Sequence, residues 1–363
     1  FFITICAASG SGGMEGNMKL YRLGELTKFD SMVVFHAMAH LGMEGLIIVS
    51  PKEPIVSVGY FQDLNTSIDI EYCNNNGIGV IRREIGGGTT LLDRNQIFYQ
   101  LIINKSSLLL PKDTFTLYRQ FSQPVIDTYR ELGINVKYKE VNDLITEEGR
   151  KITGEGGANI GDAVVFVGGL LLDFDYELMS RVFAVKNEEY RKQVLQSLEN
   201  NVTTVKRELG YIPPKQEIED KLIKNFEKLI GWFSHGELTD EIWAKARELE
   251  GLYTSEAFLN KKGKEQQGIK ISSRANMFEK RHKAVGGTIH AVFEVAEGLL
   301  SSVNLYGDFT FLPKEKLNGL EKELIGLPLD KQKLRQRIEE YYANESIDCP
   351  GVSPEDFATV FFD

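Results

Sequence analysis

Cysteine is scarce in this chain: Cys6, Cys73 and Cys349 are the only three in 363 residues. So few, so scattered, they support neither a disulfide framework nor a zinc ribbon, and a reducing compartment, the cytoplasm, is expected. Positive charge is not in excess. Against 42 Lys and Arg stand 52 Asp and Glu, a net charge of −10. That excludes a protein that holds nucleic acid by a broad basic surface, though not a local basic patch. No apolar run approaches the ~20 residues of a membrane span. No Lys-Ser/Thr follows the glycine triplet at 86–88, so there is no P-loop, and there is no GxGxxG fingerprint. His282 and His290 have no visible Ser/Asp or Cys partner arrangement. What is present is ordinary for a globular chain: 42% hydrophobic and 26% charged residues, with a length that suits roughly two domains.

Phe1 is not a start methionine, and FFITICAA has no basic flank. Residues 1–13 read as a remnant, with the natural start expected at Met14 or Met18; residues 1–17 are taken as a tail outside the folded chain. Asp30 and Gly42 bracket an apolar helix pattern as its cap signals. Short β-rich runs follow at 46–49, 55–59, 78–82, 89–92 and 97–104, in quick succession rather than as βαβ alternation. Residues 113–132 read as a helix, 135–139 as a strand and 163–175 as a long β-rich run. Ile218, Leu222, Phe226, Leu229 and Ile230 share one helical face. Thr239 or Asp240 caps another helix. The polar stretch 260–268 is the linker candidate. A hairpin across Glu297-Gly298 follows, then helices near 314–325 and 331–342, the latter capped by Asp330, and an ordered tail ending in aromatics.

Two stretches can carry chemistry. In the first, Arg82-Arg83-Glu84-Ile85-Gly86-Gly87-Gly88-Thr89-Thr90-Leu91-Leu92-Asp93, three glycines after a strand let backbone N–H groups approach a ligand closely. The arginines before them are suited to charge-assisted bonds with phosphate or carboxylate. On the residues alone a hairpin turn with solvated arginines is an equal reading. In the second, Asn142-Asp143 and Lys151 flank a hairpin that can bring carboxylate and ammonium face to face. A lysine so placed can neutralise charge on a transferring carboxyl or phosphate, and an aspartate can hold Mg²⁺ or orient the lysine; a surface salt bridge is the plain alternative. His36 and His40, spaced i, i+4, read as core or rim histidines, and Cys73 as a buried structural thiol.

Taken together, RRxxGGGxxxxD, then NDL, then RKIxG, resemble the lipoate–protein ligase A family. PIVSVGYFQ (54–62) and VGGLLLDFD (167–175) are similar to two further family strands, and RHKAVGGTIHAVFEV with the helices after it is similar to the family's accessory C-terminal domain. The resemblance runs from Met18 onward. It implies an α+β fold: a biotin/lipoate ligase-like mixed sheet flanked by helices over 18–262, plus a small α+β accessory domain over 263–363. It implies activation of lipoate with ATP and Mg²⁺ to lipoyl-AMP, and transfer to a lysine of a carrier such as an E2 subunit or a glycine-cleavage H protein. Carried over by position, Arg83, Gly88, Thr89, Thr90, Leu91 and Lys151 bind ATP. Gly86, Gly87 and Gly88 with Lys151 bind lipoate. Lys151 is catalytic, and Asp143 with Asn142 supports Mg²⁺ or the lysine. A monomer with no nucleic-acid or membrane partner is expected.

The chain also departs from the family. Leu92 and Val167 stand where the family has histidines. Ala158 stands where some relatives have an arginine that meets the ligand carboxylate, and Glu155 is expected to add a negative charge nearby. These changes bear on acyl-chain choice and adenylation efficiency. The rival reading is an octanoyl transferase of the same fold, which needs a cysteine nucleophile. None of the three cysteines lies in the expected strand or loop region. The GRGRxGRxW loop of biotin ligases is absent. A non-catalytic lipoate- or nucleotide-binding protein is the reading from another class, opposed by the retention of Asp143 and Lys151.

Overall fold

The structure is a computed structural model that describes residues 18–111, 113–139, 142–185, 187–261, 269–272, 274–307, 309 and 311–363. The expected N-terminal tail and all but the first two residues of the linker candidate lie outside the described residues.

In chain order the first strands are β1 (Lys19–Leu26), β2 (Gly45–Pro51), β3 (Ile55–Val58), β4 (Gly79–Arg82), β5 (Thr90–Leu92) and β6 (Gln96–Asn104). Then come β7 (Val136–Lys139), β8 (Asp143–Thr146), β9 (Lys151–Ile160), β10 (Ala163–Leu171) and β11 (Ser234–His235). Eight of these form one sheet in the order β11-β1-β2-β6-β10-β9-β8-β7, and β4-β3-β5 form a second, three-stranded sheet. β1 runs parallel to β2 and to β11, whereas β2 through β7 pair antiparallel along the sheet order. The sheet is therefore mixed.

β2 is buried at every position. It reads as an unbroken apolar run because helices cover both faces of the sheet. On one face pack the Asp30–His40 and Asp240–Tyr253 helices, with Phe35, Met38, Ala246 and Tyr253 in that core. On the other pack the Thr114–Glu131 and Lys215–Ile230 helices, where Phe121, Tyr129, Leu222 and Phe226 meet Tyr99 and Phe166. Asp113 starts the Thr114–Glu131 helix by accepting from the Thr116 N–H at 2.9 Å, and Thr239 caps the Asp240–Tyr253 helix through the Ile242 N–H.

The second unit holds β12 (Ile269–Lys270), β13 (Ala275–Ala284), β14 (Gly287–Ala296) and β15 (Leu299–Gly307), all antiparallel. The Leu317–Leu324, Lys331–Glu345 and Pro354–Thr359 helices close over it, burying Phe293, Leu320, Ile338 and Phe357. Asp330 accepts from the Lys333 N–H at 3.0 Å, the expected cap. The units share a core: Ile269, Ile271, Ala275, Met277 and Val292 pack with Met179, Val194 and Leu198. Ser197 donates to the buried Glu294, Arg274 donates to the Gly149 carbonyl at 2.9 Å, and Lys139 pairs with Glu297 at 2.7 Å.

Two local expectations are corrected. Asp30 does not cap its helix: Phe29 occupies that position without a side-chain bond, and Asp30 is buried in the first turn, paired with Arg247 at 2.7 Å. The run 163–175 is strand only to Leu171; Asp175 then caps the Tyr176–Val182 helix through the Leu178 N–H at 2.8 Å.

Candidate functional site

Gly86–Thr89 form a loop between β4 and β5, at the junction of the two sheets of the first unit. Both arginines before it turn inward, so neither is solvated. Arg82 is fully buried and donates to the carbonyls of Gly59, Tyr60, Gln62, Phe258 and Leu259. Arg83 donates to the Ser57 carbonyl at 2.9 Å, Gly86 at 2.8 Å and Gly88 at 2.7 Å. Burial pulls its pKa down to about 10, which leaves it charged at neutral pH. Arg83 therefore shapes the loop from behind. Its guanidinium is held by three carbonyls, and the residue also lines the cavity beneath the loop.

The loop is fastened at further points. Gly59 ends the β3 side so close to it that a β-carbon there would lie 2.0 Å from the Gly87 carbonyl oxygen. Gln62 accepts from the Gly59 N–H at 2.8 Å and donates to Thr89 Oγ1 at 3.2 Å. His36 donates from Nδ1 to the Met32 carbonyl at 2.7 Å and accepts the Glu84 N–H at Nε2, 3.2 Å. Burial drops its pKa to about 4, so it is a neutral core brace, as expected of an apolar helix. His40 and Tyr253 both reach Glu84 Oε1, at 3.1 and 2.6 Å.

Beneath the loop lies a cavity with two characters. Met32, Phe35, Ile85, Leu92, Phe98 and Val167 make its apolar wall; Gly86, Gly87, Gly88, Thr89, Thr90, Asn142 and Lys151 line its polar side. Lys270, Ile271 and Ser272 close it from the second unit. Leu91 does not line it. On β5 its side chain points the other way, into the core with Val56 and Val58. Leu92 and Val167, which replace the family's histidines, both face the cavity and extend its apolar wall. Ala158 packs at the edge of the first core.

Lys151 opens β9 and Asp143 opens β8. In register Asp143 lies opposite Gly154 and Ile145 opposite Lys151, with an irregularity between Leu144 and Ile145. Lys151 thus reaches diagonally over Gly154, where a β-carbon would lie 2.8 Å from its Nζ. The ammonium meets Asp143 Oδ1 at 2.8 Å. Asp143 is 1% exposed, whereas Lys151 keeps 23% of its side chain open. This is no surface salt bridge. The buried carboxylate holds the lysine in place and leaves the remaining N–H groups of the ammonium facing the cavity. Asn142 donates to the Glu155 carbonyl.

Glu155 corrects another expectation. Its side chain lies on the opposite face of the sheet, accepting from Tyr99 at 2.7 Å and Ser122 at 2.5 Å. Burial raises its pKa to about 8, so at neutral pH it is mostly protonated and adds little negative charge to the cavity. Among the described residues no cluster of three or more His, Cys, Asp or Glu can hold a metal. Asp143 nevertheless fits a Mg²⁺ that arrives with nucleotide phosphates, because Mg²⁺ commonly takes one or two protein carboxylates and completes its shell from phosphate and water.

Sequence reasoning missed Lys270, which stands two residues after the polar stretch read as linker. It also missed Phe98 and Gln100, although their i, i+2 spacing on β6 places them on one face.

Residues 32–227 match the model of the lipoyl protein ligase A/B catalytic domain, and residues 273–361 that of the bacterial lipoate protein ligase C-terminus. The chain belongs to the lipoate–protein ligase family. It is 24% identical over 289 residues to a lipoate–protein ligase of Streptococcus pyogenes, covering 77% of this chain and 79% of the relative. It is 27% identical over 197 residues to the octanoyltransferase LipM of Geobacillus kaustophilus, covering 48% and 70%. In structure it is similar to the bipartite lipoate protein ligase of Thermoplasma acidophilum, described with its E2 lipoyl domain: TM-score 0.59, 22% identity, 69% of this chain and 99% of the other. A lipoate–protein ligase A bound with ATP gives a TM-score of 0.56 at 21% identity over 68% and 99%.

Proposed function

We propose that the chain is an ATP-dependent lipoate–protein ligase. The observation that carries this reading is Lys151, held by Asp143 at the polar side of an apolar cavity, with no thiol on the cavity wall among the described residues. An octanoyl transferase passes its acyl group through a cysteine thioester. Here Cys73 is buried in the core beside Val56 and Leu91, and burial pushes its pKa up to about 11; Cys349 is buried in the core of the second unit. A thiol that stays protonated inside a core is a poor nucleophile.

In the first half-reaction the lipoate carboxylate oxygen attacks the α-phosphorus of ATP. The P–O bond to the β-phosphate breaks and pyrophosphate leaves. Negative charge gathers on the α-phosphate oxygens, where the Lys151 ammonium and the N–H groups of Gly88, Thr89 and Thr90 stabilise it. The apolar wall from Met32 to Val167 takes the acyl chain, and Gly86 and Gly87 allow its close approach. In the second half-reaction the neutral amine of a carrier lysine attacks the acyl carbon, the bond to the AMP oxygen breaks, AMP leaves, and the amine's surplus proton passes to solvent water. Lys151 polarises the carbonyl in that step. Asp143 would hold a Mg²⁺ arriving with the nucleotide, which would supply positive charge toward pyrophosphate departure. Support for the ligase reading also comes from the second unit, where residues 273–361 match the model of the bacterial lipoate protein ligase C-terminus.

Incubation of a lipoyl carrier domain with lipoate, the enzyme and ATP tests the reading. Mass spectrometry should find the lipoyl adduct only when ATP is present. Adduct formed from an octanoyl-carrier donor without ATP, and lost on Cys73→Ala, would assign the transferase instead.

A further inference from the structure

Gln100 stands at the inner end of the cavity. Strand register sets it opposite Val167 on β10, and Val167 opposite Gly156 on β9. Gln100, Val167 and Gly156 all line the cavity. Gly156 lies two residues beyond Gly154, the residue over which Lys151 reaches, and two strand residues span about 7 Å. The next pair inward, Ile102 and Val165, is buried in the first core and closes that end. A carboxylate held by Lys151 therefore sends its chain past Ile85 and Phe98 toward Gln100.

Gln100 is an unusual residue for such a place. It is 2% exposed, among the apolar side chains of Met32, Phe35, Phe98 and Val167 on the wall. Its Nε2 donates to the Ser31 carbonyl at 2.7 Å. A carbonyl only accepts, so the amide cannot turn round, and Oε1 is the atom left over. That oxygen is buried and accepts no hydrogen bond from any described residue. A buried, unpaired acceptor is costly. Since it has already given up solvent, a ligand donor that reaches it gains the bond with little further desolvation of the protein.

Few acyl tails carry a donor. A saturated octanoyl tail has none, and neither has the closed disulfide ring of lipoate. The reduced dithiol has S–H groups, which are weak donors. Apolar surroundings keep such a thiol protonated, and sulfur packs well against aromatic rings such as Phe35 and Phe98.

We propose that Gln100 determines acyl-tail specificity: its Oε1 accepts from a thiol of the substrate, and the enzyme takes the reduced, dithiol form of lipoate in preference to the disulfide form and to octanoate. This rests on the ligase reading and deepens it by naming the redox form of the substrate. The acid enters already reduced, so activation and transfer involve no redox step.

The test measures binding of each acid to the full chain by calorimetry without ATP, with dihydrolipoate and octanoate under a phosphine reductant and lipoate without it. The wild type should bind dihydrolipoate about five- to tenfold more tightly than either other acid, as expected for one hydrogen bond to a buried acceptor. Gln100→Met, apolar and similar in length, should remove most of that preference by weakening dihydrolipoate. Gln100→Leu repeats the comparison, and each preference is a ratio within one protein, so a partly unfolded sample does not alter it. Equal affinity of the wild type for the three acids, or an unchanged preference in both variants, overturns the proposal. Competition between dihydrolipoate and octanoate in ATP-dependent carrier labelling should give the same order in kcat/KM. Absence of ATP-dependent labelling in the wild type is a separate result: it removes the ligase reading, while the ATP-free calorimetry still decides whether Gln100 selects the dithiol.

Discussion

Gly59→Ala places a methyl carbon 2.0 Å from the Gly87 carbonyl oxygen, 2.9 Å from the Gly87 carbonyl carbon and 3.3 Å from Arg83 Nη2. The closest ordinary carbon–oxygen contacts are about 3.3 Å, so the glycine loop or the β3 terminus must move by more than about 1 Å. The obstacle is backbone on both sides and cannot swing away like a side chain. The bond from Gln62 to the Gly59 N–H and those from Arg83 to Gly86 and Gly88 tie both partners down. Overpacking of this kind costs about 1–3 kcal/mol of stability, and a 1 Å misplacement of positioning groups can cost about a hundredfold in rate. In chemical denaturation and carrier-labelling kinetics, Gly59→Ala should lose stability in that range and label about a hundredfold more slowly. Gly251→Ala is the control, since a β-carbon there meets nothing within 4 Å. Inside the Asp240–Tyr253 helix it should be neutral or gain up to about 1 kcal/mol. If Gly59→Ala labels carrier at the wild-type rate, the loop does not position substrate as argued.

Other outcomes follow from buried groups. The Glu155 pKa, about 8 in the fold, lies above its ordinary value of 4.5. Its favourable contribution is therefore complete below about pH 4.5 and is lost as pH rises toward 8; Glu155→Gln should flatten the fall in Tm between pH 5 and 8, and an unchanged slope counts against a protonated Glu155. His282 sits between Asp356 at 3.0 Å and Asp363 at 2.6 Å, whose charges raise its pKa. Its stabilisation is full below about pH 6.5 and lost as pH rises through the folded pKa, so His282→Gln should lower the Tm at pH 6 by a few degrees and hardly at all at pH 9. Equal loss at both pH values would refute the ionic origin. Cys73→Ala should keep ATP-dependent labelling at the wild-type rate and lose about 1 kcal/mol of stability; loss of labelling in a folded variant would point to a thiol mechanism.

Strands of the first unit were legible because the sheet is covered on both sides, which gives unbroken apolar runs such as 46–49 and 97–104. The Lys151–Asp143 pairing was legible as a hairpin contact. Its burial was not, because that depends on the diagonal reach over Gly154 and on the closing second unit. Arg82 and Arg83 read as anion binders because arginine before glycines is ambiguous; only the tertiary fold shows carbonyls filling their forks. Leu91 fell one residue off the cavity face, the error that a period of two makes easy. The meaning of Glu155 changed with the face of the strand it occupies. Lys270 was invisible in sequence, since nothing local marks a lysine after a polar stretch as the neighbour of a loop some 180 residues earlier.

The central claim is that Lys151 works on an ATP-activated acyl group. The direct measurement is mass spectrometry of a lipoyl carrier domain incubated with lipoate and either wild type or Lys151→Ala, with and without ATP. Loss of such an electrostatic group is worth about 3–4 kcal/mol, or a rate loss of roughly 10²–10³. The account predicts lipoylated carrier only with wild type and ATP, and at most trace product from a folded Lys151→Ala. Equal labelling by Lys151→Ala, or wild-type labelling that ignores ATP, would contradict it.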